Sequence, residues 1–206
     1  MQKAANQILV VDDDPAINAI LTLILEDQGY FVTSALSIQE AKHHVLMNKF
    51  AIALLDLGLP PNEHTPEQGF NLLNWIRNNQ SHCHIIVLTG QTDTAYEAIK
   101  LGAFDYLSKP IDEADIIKSI QRANLFYQQN QKMKQAGLHA LRLQTELGDG
   151  VKHIRNQAEE QIIRQLLQDY DFNVHEVARK LGLKRENIYY LIKKYNLERQ
   201  CHHDDT

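Results

Sequence analysis

Five short apolar runs separated by amphipathic stretches occupy the first 127 residues, and they constrain the fold more than any other feature. The runs are Ile8–Val11, Tyr30–Thr33, Ile52–Leu55, Ile85–Leu88 and Asp105–Leu107. Between and after them, apolar residues recur at helical spacing over Ala16–Asp27, Ile38–Asn48, Phe70–Asn78, Thr94–Leu101 and Ala114–Tyr127. Strands rich in Val, Ile and Leu without polar alternation are buried on both faces, and the intervening helices supply the covering layers. The pattern predicts an α/β domain with a doubly wound, five-stranded parallel sheet.

In such sheets, sites lie outside the carboxyl ends of the strands. The first run ends in Asp12-Asp13-Asp14, the third in Asp56 and the fourth in Thr89-Gly90, and the fifth is followed by Lys109-Pro110. Clustered carboxylates repel one another and call for a counter-charge. Mg²⁺ suits them because it takes hard oxygen ligands. This set suggests phosphoryl transfer to a carboxylate. Asp56 is the candidate nucleophile, Thr89 and Lys109 would hold phosphoryl oxygens, and the metal would offset their charge. A plainer role exists for two of these residues: Asp14 as an N-cap with Pro15 at N1, and Lys109-Pro110 as a turn with a cis peptide.

The blocks Val10-Val11-Asp12-Asp13-Asp14-Pro15, Leu54-Leu55-Asp56-Leu57, Leu88-Thr89-Gly90 and Gly102-Ala103-Phe104-Asp105-Tyr106-Leu107-Ser108-Lys109-Pro110 resemble the receiver domain of bacterial response regulators. That resemblance implies a flavodoxin-like fold and phosphate transfer from a sensor histidine kinase to Asp56. It implies an acidic pocket of Asp12 and Asp13, with Asp13, Asp56 and the Gly58 carbonyl at Mg²⁺. It also implies a switch pair, Thr89 and Tyr106. The sequence departs from the pattern in the long loop Gly58–Gly69, in Gly58 itself, which offers no side chain beside Asp56, and in Gly90, where the family usually has Ala.

No strand-like run follows Gln128. Gln128–Met133 reads as a helix extension or linker, Leu138, Leu141 and Leu143 as continued helix, and Gly148-Asp149-Gly150 as a hinge. Glu159–Tyr170 is an amphipathic helix, and Asp171-Phe172 is a turn. Asn173 is an N-cap with Glu176 at N3, for a short helix Val174–Leu181. Gly182 stops it, and Leu183 anchors the turn. Arg185–Tyr195 is a third helix, with Ile188, Leu191, Ile192 and Tyr195 inward. Helix, glycine turn, helix is the pattern of helix-turn-helix DNA binders. The stretch Asn173–Tyr189 resembles the Fis-type module, which closes nitrogen-regulator-type activators and short regulators of the RegA/PrrA kind. The DNA-facing candidates are Asn173, His175, Lys184, Arg185, Asn187, Tyr189, Tyr190, Lys193 and Lys194. The organisation expected is a receiver over 1–127, a helical linker or dimerisation segment over 128–158, and a small all-α DNA-binding domain over 159–206.

Charge divides along the same line. Residues 1–127 carry 8 Lys+Arg against 15 Asp+Glu, whereas residues 128–206 carry 13 against 11. An acidic half and a mildly basic half suit different partners. The N-terminus breaks into acid too early for a secretory signal, and no apolar run reaches bilayer length. Cys83 and Cys201 lie among His82, His84, His202 and His203 without zinc-ligand spacing; they read as a loop and a polar tail, in a reducing cytosol. The expectation is a cytoplasmic, phosphorylation-controlled transcription regulator. It is not an enzyme, does not associate with a membrane, binds double-stranded DNA and forms a homodimer. A receiver controlling a protein partner and a receiver-based RNA-binding antiterminator are the alternatives.

Overall fold

A computed structural model of the chain describes residues 6–60, 65–135 and 150–197. It divides into two compact units, Met1–Leu138 and His139–Thr206. In the first, strands β1 (Gln7–Val11), β2 (Phe31–Ala35), β3 (Ile52–Asp56), β4 (His84–Thr89) and β5 (Asp105–Ser108) alternate with helices α1 (Pro15–Asp27), α2 (Ile38–Met47), α3 (Glu67–Asn79), α4 (Thr92–Lys100) and α5 (Glu113–Gln135). All strand pairs are parallel, in the order β2-β1-β3-β4-β5. The doubly wound five-stranded sheet is therefore present.

Strand alternation divides the core in two. Leu9, Val11, Ala53, Leu55, Ile85 and Val87 face one way and pack with Ala41, Val45, Phe70, Leu73 and Ile76 from α2 and α3. Ile8, Val10, Ile52, Leu54, Ile86 and Leu88 face the other way and pack with Leu21, Leu25, Ile116, Ile120 and Ala123 from α1 and α5. Burial on both faces is why these strands read as unbroken apolar runs. Two polar side chains sit inside this packing. Gln80 accepts from the Phe50 N–H at 2.9 Å and donates to the Val45 carbonyl at 2.6 Å. Asn18 donates to the carbonyls of Asp12 at 3.2 Å and Ala35 at 3.1 Å, tying the ends of β1 and β2 together.

Several boundaries differ from the sequence reading. β2 starts at Phe31, because the Tyr30 N–H closes α1 onto Leu25 O at 3.1 Å while the Phe31 N–H pairs with Asn6 O at 2.8 Å. α3 starts at Glu67, before Gly69, which reads as loop by composition. A Cβ on Gly69 would lie 2.6 Å from the Leu57 Cα, so the glycine permits close helix–loop packing. Gln128–Met133 is helix, as part of α5. Cys83 is buried in the core rather than set in an open loop, and burial pushes its thiol up to about 12.

The second unit holds α6 (Gly150–Asp169), α7 (Val174–Leu181) and α8 (Arg185–Lys194) around Ile163, Leu166, Leu167, Val177, Ala178, Ile188, Leu191 and Leu197. α6 begins nine residues before the expected Glu159, at Gly150, the residue read as part of a hinge. Val151, Ile154 and Ala158 recur there at helical spacing, but reading Gly150 as part of a hinge sets the start too late; Val151 itself is 76% exposed. The Asn173 cap is as expected, its Oδ1 accepting from the Glu176 N–H at 3.3 Å. Gly182 ends α7 at φ 64°, and the Leu183 N–H bonds Ala178 O at 3.0 Å. The turn is anchored by that backbone bond, because the Leu183 side chain is exposed. Gly58–Pro60 and Thr65–Gly69 belong to the long loop's described parts; positions 61–64, Leu138, Leu141, Leu143, Gly148, Asp149 and Cys201–His203 lie outside the described residues. Among the described residues, no helix is long and apolar enough to cross a membrane.

Candidate functional site

The strand order reverses between β1 and β3, and their carboxyl ends form the crevice where ligands bind in open parallel sheets. Asp12 and Asp13 follow β1, and Asp56 ends β3. One oxygen from each of the three lies within 4.8 Å of the others. Asp12 is 1% exposed and Asp56 7% exposed. The Lys109 ammonium follows β5 and reaches across, 3.2 Å from Asp12 Oδ2 and 3.1 Å from Asp56 Oδ1. Asp14 stands apart from this cluster. Its Oδ1 accepts from the Ala16 and Ile17 N–H groups at 2.8 and 3.4 Å, capping α1 with Pro15 in the first turn.

The electrostatics follow from burial. Desolvation raises the Asp12 carboxyl above the usual carboxylate range, with Asp56 adding to the rise; the Asp14 N–H and Lys109 only partly counter it. Burial alone would lower Lys109, but Asp56 and Asp12 outweigh it and hold the ammonium above its ordinary value. Three carboxylates facing one ammonium leave about two negative charges unbalanced, which fits a divalent hard cation.

Thr89 lies on the same rim at 6% exposure, but its hydroxyl is turned toward α4. The Thr89 and Thr94 hydroxyls pair at 2.6 Å, and the Gln91 carbonyl lies 2.7 Å from Thr94 Oγ1 and 3.4 Å from Thr89 Oγ1. The Gln91 N–H donates to Thr89 Oγ1 at 3.1 Å. Tyr106, one strand away on β5, is 40% exposed. Lys109-Pro110 is a cis peptide. Sequence reasoning did not single out Thr94 or Asn18. Both are polar residues in helices, and only their burial marks them.

In the second unit, Asn173, His175, Lys184, Arg185, Asn187, Tyr189, Tyr190, Lys193 and Lys194 are all exposed at residue level. They do not form one surface. Lys194 is turned back onto α6, its Nζ 2.7 Å from Glu159 Oε2 and 4.5 Å from the Tyr195 ring centre. The Tyr195 hydroxyl donates to the same carboxylate. Hydrogen bonds from Lys194 and Tyr195 lower the Glu159 pKa.

The sequence matches the family described as "Response regulator receiver domain" over residues 8–121 and that described as "Bacterial regulatory protein, Fis family" over residues 154–195. It is 33% identical over 119 residues to the photosynthetic apparatus regulatory protein RegA of Cereibacter sphaeroides, covering 57% of this chain and 62% of RegA. The chain spans less than two thirds of the length of the curated relatives it matches. Among solved structures, a CheY-like receiver domain protein from Methanospirillum hungatei covers 60% of this chain and 97% of that one, at TM-score 0.55 and 28% identity. The beryllofluoride-activated NtrC4 receiver domain dimer covers 59% and 98%, at TM-score 0.54 and 33% identity.

Proposed function

The chain belongs to the response regulator receiver domain family, and from that premise we propose that it accepts a phosphoryl group on Asp56 from a sensor histidine kinase and regulates transcription by binding double-stranded DNA. The observation that carries the reading is the half-buried Lys109 ammonium set between the buried Asp12 and Asp56 carboxylates at the sheet's switch point. In the transfer, an Asp56 carboxylate oxygen attacks phosphorus. The bond from phosphorus to the donor nitrogen breaks, and the nitrogen leaves with the electron pair. Lys109, whose ammonium lies 3.1 Å from Asp56 Oδ1, is placed to balance charge on the phosphoryl oxygens. Asp12, Asp13, Asp56 and the Gly58 carbonyl would hold Mg²⁺, which supplies charge neutralisation when bound. Thr89 turns from Thr94 toward the phosphoryl group and Tyr106 swings inward, a two-state element biased by a local charge.

The output is the second unit, whose Fis-family match covers α7, the glycine turn and α8. Residues 1–127 act as the receiver, 128–158 as linker and dimerisation segment, and 159–206 as the DNA reader. A homodimer follows from two-fold half-site recognition, and the dimeric NtrC4 receiver supports it. A cytoplasmic location and a regulatory rather than enzymatic role accord with this reading.

The test is incubation with Mg²⁺ and acetyl phosphate, beside Asp56→Asn. The expected result is a phosphoryl mass gain in the wild type only, with earlier elution on size exclusion. No gain in the wild type overturns the phosphoacceptor assignment.

A further inference from the structure

Among the described residues of the second unit, every carboxylate but one has a partner. Glu159 pairs with Lys194 and Glu160 with Arg164, both at 2.7 Å, and Glu176 pairs with Arg179. Asp169 and Asp171 are engaged as well. The Glu186 carboxylate has no hydrogen bond or ion pair among the described residues, although Lys184 and Arg185 precede it directly. It is exposed, in the first turn of α8.

Its direction can be read from the helix. α8 buries Ile188 and Leu191, with Ile192 and Tyr195 beside them. At 100° per residue, the side furthest from that face carries Glu186, Tyr190 and Lys193, at i, i+4 and i+7. Tyr190 is 65% exposed and Lys193 is exposed. A helix that enters the major groove meets base edges with its N-terminal residues. A carboxylate there is repelled by phosphates, so among contacts with DNA it suits a base-edge donor. The cytosine N4 amino group is the donor that suits a carboxylate. Adenine's amino group sits beside the N7 acceptor, a pair that suits an amide instead.

We infer that Glu186 is a specificity-determining residue of the DNA reader, accepting a hydrogen bond from the N4 amino group of a cytosine in each half-site. This rests on the DNA-binding reading above. An acid in a first helical turn also favours the helix dipole, a structural role that leaves base preference unmoved.

The experiment is selection from a random double-stranded DNA library by the full chain, with and without acetyl phosphate, using wild type, Glu186→Ala and Glu186→Gln. Thermal melting checks that both variants are folded. The wild type is expected to prefer cytosine at one position per half-site by about five- to tenfold, the lower end of a specific base contact. Glu186→Ala loses that preference while the rest of the site is kept, and Glu186→Gln moves it to adenine. A wild-type site that reappears unchanged with both variants overturns the inference and leaves DNA binding standing. A wild type that enriches no sequence overturns the DNA-binding reading and this inference with it.

Discussion

At the residue scale, Asp12 and Thr94 carry the sharpest consequences. Burial raises the Asp12 pKa, so its folded value lies above the unfolded one. Ionised Asp12 therefore costs stability at neutral pH, and the cost is relieved as pH falls through the raised pKa. Asp12→Asn is expected to melt above the wild type at pH 7 in EDTA, with the gap closing as the buffer is acidified. Mg²⁺ should raise the wild-type melting temperature, and the rise should shrink in Asp12→Asn, because the variant has lost a ligand. Lys109 has the opposite sign: its raised pKa contributes stability that is lost only as pH climbs through the folded value. Thr94 pairs with the Thr89 hydroxyl at 2.6 Å, on the α4 side. Thr94→Val removes two hydrogen bonds, to the Gln91 carbonyl and with Thr89, and the one that restrains Thr89 is worth about 0.5–1.5 kcal/mol. Acetyl phosphate should then label Asp56 about two- to tenfold faster, read by intact mass; an unchanged rate would show that the Thr89–Thr94 bond does not restrain the switch.

At the element scale, α3 and α7 show two different uses of glycine. Gly69 lets α3 approach the loop that follows Asp56, and an added Cβ meets backbone atoms of Leu57 that cannot give way. Gly69→Ala is expected to cost about 1–3 kcal/mol in urea unfolding, as overpacking does. Gly182 is needed for its positive φ, since a Cβ there meets nothing within 4 Å. Gly182→Ala should cost only about 1 kcal/mol, from backbone strain. Sequence composition marked Gly182 correctly as a stop because the helix ends there. The same logic misplaced the start of α3, because whether a glycine breaks a helix or packs one depends on what lies opposite. α6 was placed late for a related reason: Gly150 reads as part of a hinge, although Val151, Ile154 and Ala158 recur at helical spacing directly behind it.

At the scale of the whole molecule, the acidic first 127 residues and the mildly basic remainder accord with the proposed division between phosphate chemistry and DNA binding. DNA affinity of the full chain should fall linearly with log salt. Lys184→Ala, Arg185→Ala and Lys193→Ala should each reduce the slope by about 0.9 where the side chain meets a phosphate. Lys194→Ala should leave the slope near the wild-type value, because Lys194 is held on Glu159; a drop equal to the others would put it at the DNA. The parallel α/β class, the strand-end acids, Lys109, the N-cap Asn173 and the turn at Gly182 were legible in the sequence. They follow from local periodicity, from chain order and from the rule that parallel strands present their carboxyl ends on one rim. Tertiary structure alone decided which strands lie adjacent, that Thr89 is tied to Thr94, that Lys194 is spent on Glu159 and that Glu186 is left without a partner. Those are pairings between residues from 5 to 44 positions apart, or the lack of one. Such pairings depend on how elements pack, and no local pattern in a single chain encodes them.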